Sequence, residues 1–213
     1  MFTIYKNYSW NYNDALVWLK LRQKFVLDKL GFYIAFCSHN PPVVTLGKNT
    51  SYNDILNIKA LKLSGAFVKK VDRGGGITIH NLGQLVVYPV ISLDYLKIGI
   101  KEFTYFLEEC MIEFLNYWGI NSCRGKRYHG IYVNNEKIGF IGFRVFHGVI
   151  THGICLNISN DLSLYSYIVP CYQENLKITS LQMLIKNSIE TSYAAIIFEK
   201  IFLDYFRNIK YII

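Results

Sequence analysis

The sequence predicts a mixed α/β (α+β) fold in which helices pack on a mixed or antiparallel β-sheet within a single domain. The predicted strands and helices are interspersed without the regular β-α-β alternation that is typical of a parallel sheet. The composition is 52% hydrophobic, 16% aromatic and 18% charged, which is typical of a chain with a packed core and excludes intrinsic disorder. No linker divides the 213 residues, so we treat 1–213 as one domain.

The first half of the chain begins with a long predicted helix and continues in short apolar runs. Asn13 and Asp14 can cap a helix whose apolar residues recur at helical spacing until Gly31 ends it. Short apolar runs bounded by Pro, Gly and Asn predict strands after it, with one short helix between them. The predicted strands are 32–37, 43–46, 66–71, 77–79 and 84–93, and the short helix is 53–63.

The second half contains the clearest amphipathic helix, 102–118, whose apolar side chains fall at i, i+3, i+4 and i+7 spacing. The segment 129–158 has strand-like apolar runs, with Asn134-Asn135 and His147-Gly148 where hairpin turns are expected. We therefore predict two consecutive hairpins there. A helix over 190–206 follows a short polar stretch.

Charge and hydropathy limit the possible partners and compartments. The net charge of +8 permits a nucleic acid, an anionic membrane or an acidic carrier protein as partner. A basic surface without any partner, the product of AT-rich coding DNA, explains the charge equally well. The longest apolar runs fall far short of the roughly 20 residues of a spanning helix, and 1–13 lacks the pattern of a secretory signal. We expect a cytoplasmic protein, or an organelle-matrix protein whose transit peptide has been removed.

The cysteines and histidines do not predict a metal site. The cysteine count is odd and no CxxC pair occurs, which argues against a disulfide framework and a zinc knuckle. The spacing of the histidines does not match the usual zinc patterns either. For four of the cysteines we expect small buried hydrophobic side chains; these are Cys37, Cys110, Cys123 and Cys155.

The first candidate for chemistry is a glycine-rich segment that begins at Arg73 and ends at His80. Glycines let backbone N–H groups approach a ligand closely, because no Cβ intervenes. The segment is not a P-loop, since no Gly-Lys-Ser/Thr follows, and a structural hairpin turn is the alternative. His80 and His152, beside strand-like runs, fit structural hydrogen-bonding histidines as well as catalysts.

The second candidate is Cys171, which follows Pro170 and precedes a polar stretch. A thiol at such a loop or strand end can meet substrate, and its thiolate attacks thioesters well when a cation lies nearby. Lys137 opens a strand whose two glycines allow close backbone approach. A lysine after a hairpin turn is, however, commonly just solvated.

These segments form five ordered blocks. They are HNPPVVTLG at 39–47, RGGGITIH at 73–80 with GQLVVYP at 83–89, GIYV at 130–133 with KIGFIG at 137–142, HGICLN at 152–157, and PC at 170–171 with TSL at 179–181. In this order they resemble the lipoyl(octanoyl)transferase family, the octanoyl-carrier-protein:protein N-octanoyltransferases, over most of the chain. The resemblance implies the biotin/lipoate-protein ligase-like fold, a mixed sheet packed with helices.

The resemblance also implies roles for individual residues. Cys171 looks like the catalytic nucleophile that carries the acyl group as a thioester, and Lys137 like the catalytic residue that favours its thiolate. Lys137 or His80 would accept the proton from the incoming lysine. The walls of the acyl pocket would be Arg73, Gly74, Gly75, Gly76, Ile77, Thr78, Ile79, His80, Phe140, Ile141, Gly142, His152, Gly153 and Ile154.

The implied activity is an acyltransferase reaction that begins protein lipoylation. An octanoyl group would pass from acyl carrier protein to a lysine of a lipoyl domain, either of a 2-oxoacid dehydrogenase E2 or of the glycine cleavage H protein. The donor's phosphopantetheine carries the acyl group, so the resemblance implies no cofactor of the enzyme's own, no ATP and no metal. We expect a monomer without nucleic-acid or membrane partners. Candidate carrier-facing cations are Lys69, Lys70, Arg124, Lys126 and Arg127.

The sequence departs from the family pattern at several positions. The family usually reads His-Gly-Pro-Gly-Gln where this chain has Asn81 and Leu82 after His80, and a glycine commonly stands at Tyr172. Gly139 and Cys155 both occupy positions that are often alanine. These changes put the acyl-length preference in doubt more than the reaction class.

Three other functions are possible alternatives. An ATP-dependent lipoate or biotin ligase shares the implied fold but needs no nucleophilic cysteine. A basic nucleic-acid-binding module is disfavoured, because no nucleic-acid signature occurs and the Lys and Arg residues are scattered. An inactive carrier-binding relative is disfavoured by the presence of Cys171 and Lys137.

Overall fold

The computed structural model describes residues 2–126 and 128–209. Its strands are β1 Phe2–Trp10, β2 Phe32–His39, β3 Val43–Leu46, β4 Phe67–Lys70, β5 Thr78–His80, β6 Gln84–Ser92, β7 Cys123–Arg124, β8 Ile131–Val133, β9 Glu136–Phe146 and β10 Val149–Asn157. Its α-helices are α1 Tyr12–Leu27, α2 Ile58–Leu63, α3 Leu93–Leu96, α4 Ile100–Tyr117, α5 Leu181–Ile185 and α6 Thr191–Arg207. Short 3-10 helices cover Tyr52–Asp54, Ser163–Tyr167 and Pro170–Tyr172.

The strands pair in mixed directions, as the interspersed pattern predicts, but they form two sheets where the pattern predicts one. The larger has the order β1-β2-β6-β10-β9-β8-β7; β1 runs parallel to β2, and the other neighbours are antiparallel. The smaller has the order β4-β3-β5, with β3 parallel to β4 and antiparallel to β5. Both predicted hairpins are present, β8-β9 and β9-β10.

Alternate residues of the central strands pack into two different cores. Ile34 and Phe36 of β2 lie in a core with apolar side chains of α4 and α6. Ala35 and Cys37 lie in another, with side chains of α1 and the small sheet. Because both faces of the large sheet are covered, its central strands read as continuous apolar runs instead of alternating ones.

The hairpin turns need backbone conformations that asparagine and glycine tolerate. Asn134 and Asn135 have φ of 48° and 66°, and His147 and Gly148 have φ of 47° and 70°. Positive φ at both central residues matches the right-handed twist of the flanking strands. The Asn-Asn and His-Gly pairs therefore set the register of β8, β9 and β10.

Three local differences from the predicted elements have physical causes. The strand β1 gives no clear signal in the sequence, since it lies at a sheet edge with mostly exposed residues and is held by its parallel pairing with β2. The predicted helix 53–63 divides, because the Asn57 side chain caps α2 separately by accepting from the Ala60 N–H. Asn11, not Asn13, caps α1. No helix in the described part of the chain is long and apolar enough to cross a membrane.

Candidate active site

A cavity of about 360 Å³ opens where β5, β6, β9 and β10 meet the glycine-rich loop 73–76. Most residues proposed from the sequence line it: Arg73, Gly74, Gly75, Gly76, Thr78, His80, Lys137, Phe140, Ile141, Gly142, His152, Gly153, Ile154 and Cys171. Segments far apart in sequence therefore form one concave site. Its volume is within the range of small-molecule pockets, roughly 300–1,000 Å³.

Ile77 and Ile79 are corrections to the predicted walls. Both side chains are completely buried in the core beneath α1 and not on the cavity. Side chains alternate along a strand, so the residues that face the cavity from this segment are Thr78 and His80. Ile77 contributes through its backbone, because its carbonyl accepts the Cys171 N–H at 3.2 Å.

Cys171 lies in the short 3-10 segment at the rim of the cavity. Its φ of 55° and ψ of 33° are in the left-handed region, which is uncommon for a non-glycine residue. The chain packs closely there, since a Cβ on Gly76 would lie 2.8 Å from the Cys171 Cα. The third glycine of the loop is therefore required for Cys171 to reach the cavity. The Cys171 side chain is half-buried and not disulfide-bonded.

Lys137 is buried in the same cavity. Its side chain is only 1% exposed, so it is not the solvated lysine that its place after a turn could indicate. Its Nζ donates to the His129 carbonyl at 2.8 Å and lies 5.3 Å and 5.1 Å from the ring centroids of Tyr132 and Phe140. Both aromatic faces favour a cation.

The backbone joins Lys137 to the chain that follows Cys171. The Lys137 N–H donates to the Lys177 carbonyl at 2.8 Å, and the Thr179 N–H donates to the Lys137 carbonyl at 3.0 Å. The segment after the cysteine is thus added to the β9 strand at the position of the lysine. This pairing explains why residues 34 positions apart line one site.

Arg73 orders the glycine-rich loop. Its guanidinium donates to the carbonyls of Gly74, Gly76 and Thr45 at 2.9, 3.0 and 3.0 Å, and to the Thr45 hydroxyl at 2.6 Å. The side chain is 5% exposed. These four hydrogen bonds join Arg73 to the loop and to Thr45, so its side chain holds the loop against β3.

Burial keeps two of the cavity's side chains, His80 and His152, neutral. Burial, with smaller contributions from His39 and Arg73, lowers the pKa of His80 well below its usual value. The His80 Nδ1 donates to the Gln84 side-chain oxygen at 2.8 Å, so Nε2 carries the lone pair. Burial and then Arg73 lower the pKa of His152 to about 4. A neutral imidazole costs less free energy than a cation at a buried site of this kind.

His152 has an unusual backbone and no hydrogen-bond partner within the described chain for either ring nitrogen. Its φ is 61°. The pairing of β10 with β6 is interrupted between Ile150 and Ile154, where Pro89 of β6 has no N–H to donate. This interruption gives the His152 side chain its place on the cavity wall.

Several cavity residues were missed by reasoning from the sequence. Tyr12 begins α1 and stacks on His80, with ring centroids 6.1 Å apart; Tyr88 donates to His39 Nε2 at 2.8 Å, since His39 Nδ1 donates to the Trp10 carbonyl. Tyr12 precedes the predicted helix cap at Asn13, and Tyr88 lies within a continuous apolar run, so neither residue gives a separate signal. The other missed lining residues are Val86, Ile100, Thr104, Tyr128, His129 and Phe143; Cys155 and Tyr172, two of the departures from the family pattern, line the cavity as well.

The remaining cysteines and the basic side chains fall into distinct environments. Cys37, Cys110 and Cys155 are buried as predicted, whereas Cys123 is exposed, because the short edge strand β7 leaves it at the surface. Of the proposed carrier-facing cations, Arg124 is paired with two glutamates of α4. Arg127 lies outside the described residues. Within 2–126 and 128–209, no group of three or more His, Cys, Asp or Glu side chains could hold a metal ion.

Comparisons with solved structures show the fold. A lipoate-protein ligase A bound with ATP superposes with a TM-score of 0.73 at 16% identity, covering 96% of this chain and 86% of that one. The bipartite lipoate protein ligase of Thermoplasma acidophilum gives 0.74 at 15% identity, covering 97% and 85%. A biotin protein ligase from Aquifex aeolicus gives 0.57 at 11% identity, covering 98% and 70%. The predicted biotin/lipoate ligase-like fold is confirmed.

Comparisons of sequence show the family. The model of the lipoyl protein ligase A/B catalytic domain matches residues 18–202. An octanoyltransferase of Bacteroides fragilis is 39% identical over 183 residues, covering 83% of this chain and 80% of the relative. A mitochondrial octanoyltransferase of Arabidopsis thaliana is 36% identical over 169 residues, covering 77% and 72%. The chain therefore belongs to the octanoyltransferases, the acyltransferase family that its motifs resemble.

Proposed function

We propose that this protein transfers an octanoyl group from octanoyl acyl carrier protein to a lysine of a lipoyl domain, through a thioester on Cys171. One observation carries the proposal: a half-buried thiol and a fully buried amine, Lys137, line the same largely apolar cavity. The family relationship supports the acyl group, and the geometry supports the covalent route. Neither ATP nor a metal is required, since converting a thioester into an amide is downhill.

In the first step the Cys171 thiolate attacks the thioester carbonyl carbon of the donor. A new S–C bond forms, the bond to the phosphopantetheine sulfur breaks, and that sulfur leaves as a thiol with the proton taken from Cys171. We assign Lys137 to hold this proton in between. Gly75 and Gly76 line the cavity, and their backbone N–H groups are our candidates for stabilising the oxyanion; the Gly74 N–H is already bonded to the Phe143 carbonyl at 3.0 Å.

In the second step the acceptor lysine attacks the Cys171 thioester. A C–N bond forms, the C–S bond breaks, and one amine proton returns to the cysteine sulfur. Either Lys137 or His80 can be considered as the relay for this proton. We favour Lys137, because the lowered pKa of His80 makes that imidazole a weak base.

The apolar part of the cavity fits the acyl chain. Phe140, Ile141 and Ile154 line it from β9 and β10, and Val86 lines it from β6. An aliphatic chain buried there gains about 0.8 kcal/mol per CH₂ group removed from water. The neutral state of His80 and His152 avoids placing a charge against that chain.

The partners in this proposal are acyl carrier protein as donor and a lipoyl domain or glycine cleavage H protein as acceptor. The net charge of +8 supports an encounter with acidic partners, since complementary charge speeds association. Lys126 is exposed close to the cavity residues Tyr128 and His129. Lys126 stays a candidate for the carrier-facing surface together with Lys69 and Lys70 of β4, whereas Arg124 is assigned to its glutamates.

A transfer assay tests the function. Purified protein is incubated with octanoyl acyl carrier protein and an isolated lipoyl domain, with and without ATP, and the acceptor is weighed by mass spectrometry. We expect an octanoylated lipoyl domain at the same rate in both mixtures. Product that forms only with free octanoate and ATP would contradict the proposal and support the ligase alternative.

A further inference from the structure

Glu108 of α4 is a buried carboxylate to which the proposed mechanism assigns no part. It is 5% exposed. Its Oε1 accepts the Gly130 N–H at 3.4 Å and lies 3.5 Å from His129 Nδ1, while its Oε2 pairs with Arg124 Nε at 3.2 Å. A carboxylate removed from water is costly unless its oxygens are paired. Here two of the partners belong to one short loop segment, 129–130.

That same segment receives the Lys137 side chain. The His129 carbonyl accepts the Lys137 Nζ at 2.8 Å. Gly130 has φ of 127°, and a Cβ there would lie 2.7 Å from the Lys137 Cε and 2.4 Å from the Gly139 carbonyl oxygen. The lysine stem thus passes directly over a glycine that has no room for a side chain. The position of the amine depends on where segment 129–130 is held.

We infer that Glu108 is a positioning residue for the Cys171–Lys137 pair, acting through the backbone of residues 129–130. The inference rests on the proposed function for the meaning of that pair. Without the carboxylate, the Gly130 N–H loses its buried acceptor and the segment is free to shift. The Lys137 amine then moves with the His129 carbonyl. A displacement of about 1 Å at reacting groups can cost on the order of 100-fold in rate.

Glu109 provides a matched control. It is the next residue of α4 and pairs with Nη2 of the same Arg124. Its side chain is 25% exposed. Its ion pair does not include segment 129–130. Replacing Glu109 therefore removes a carboxylate and an Arg124 partner while leaving the hydrogen bond to Gly130 in place.

The test measures the pH profile of Cys171 alkylation by iodoacetamide. Peptide mass spectrometry follows Cys171 separately, because Cys123 is also exposed. Ionisable groups that face the lysine or its loop are Glu108, His129, Tyr132, Cys155 and Arg124. None of these residues is substituted in Glu109→Ala, so the alkylation profile of that variant provides the reference.

We expect Glu108→Ala to slow Cys171 alkylation at neutral pH about tenfold and to move the profile to higher pH, since less thiolate is present. Glu109→Ala should stay within about twofold of the unsubstituted protein. Glu108→Gln should fall between them, because its amide oxygen can still accept from Gly130. In the transfer assay the kcat of Glu108→Ala should fall while the KM for the donor changes little.

An unchanged alkylation profile in Glu108→Gln and Glu108→Ala, with folding intact by thermal melting, would overturn the inference. So would an equal slowing in Glu109→Ala. If Glu108→Ala does not fold, Glu108→Gln carries the test alone. The proposed function is tested separately: it fails if the unsubstituted protein forms no octanoyl adduct with the acyl donor. The alkylation test uses no acyl donor, so its outcome does not depend on that result.

Discussion

Two thiols line the same cavity in different settings. Cys155 lies in the middle of β10, paired with Val86 on one side and Phe140 on the other, and burial raises its pKa to about 12. Cys171 lies in a short turn with left-handed backbone angles, half-exposed at the rim. In the proposed mechanism, backbone conformation and exposure distinguish the nucleophile Cys171 from Cys155. Being a cysteine on the cavity wall is not enough.

Exchanging each thiol for a hydroxyl should give the largest difference in activity between the two cysteines. Cys171→Ser should lower octanoyl transfer on the order of 1,000-fold or more, since the covalent route depends on the thiolate. Cys155→Ser, a change of the same size on the same cavity, should retain most of the activity. Steady-state transfer rates measure both. Equal losses in the two variants would contradict the distinction.

Replacing the Lys137 amine should lower the reactivity of the Cys171 thiol and bring it closer to that of Cys155. Lys137→Met keeps an apolar stem of similar length in the buried site but cannot hold a proton. We expect transfer to fall about 100-fold, the scale of a lost general base. Lys20→Met replaces an exposed lysine of α1 that lies outside the proposed site; it serves as the control and should leave the rate nearly unchanged. A small effect of Lys137→Met would remove the lysine from the mechanism.

The close contact between Gly76 and the Cys171 backbone can be tested without substituting Cys171 or Lys137. Gly76→Ala would place a Cβ 2.8 Å from the Cys171 Cα, whereas in Gly74→Ala the nearest atom, the Phe143 carbonyl oxygen, is 3.4 Å away. We expect Gly76→Ala to lower transfer about tenfold by displacing the turn. Gly74→Ala should be close to the unsubstituted protein. Transfer rates and melting temperatures together separate displacement from unfolding.

Burial of His152 on β10 should make the free energy of unfolding depend on pH. The folded-state pKa of His152 is about 4, against 6.5 for the free group. Its contribution to the free energy of unfolding is therefore present above pH 6.5 and is lost as the pH falls towards 4; the full loss is about 3 kcal/mol.

His152→Asn should flatten that decline, and His147→Asn is its control. Asparagine tolerates positive φ, and both positions have it, at 61° and 47°. His147 is exposed, so its variant should follow the unsubstituted protein in urea unfolding between pH 4 and pH 7. Parallel pH curves for all three proteins would show that burial of His152 has no energetic consequence.

Local patterns predicted much of the fold and some of the site. The apolar spacing of α4 and the Asn134-Asn135 turn are visible in the sequence because their causes are local. The strand β1 is not, since its stability comes from pairing with β2. Tyr12 reaches the cavity only because α1 packs there.

The prediction for the glycine-rich segment shows the same limit within eight residues. Residues 73–80 do not form one continuous wall, because side chains alternate along 77–80 and place Ile77 and Ile79 in the core. Glu108 is hidden for a related reason. It stands among the apolar residues of an amphipathic helix, and only the tertiary structure shows that it faces segment 129–130.

Peptide mapping of the acyl group tests the central claim most directly. The protein is mixed with octanoyl acyl carrier protein in the absence of any acceptor, quenched in acid and digested. The account predicts an octanoyl group on the peptide that contains Cys171, removed again when a lipoyl domain is added. An octanoylated lipoyl domain without any adduct on Cys171, or an adduct on Cys155 instead, would contradict it.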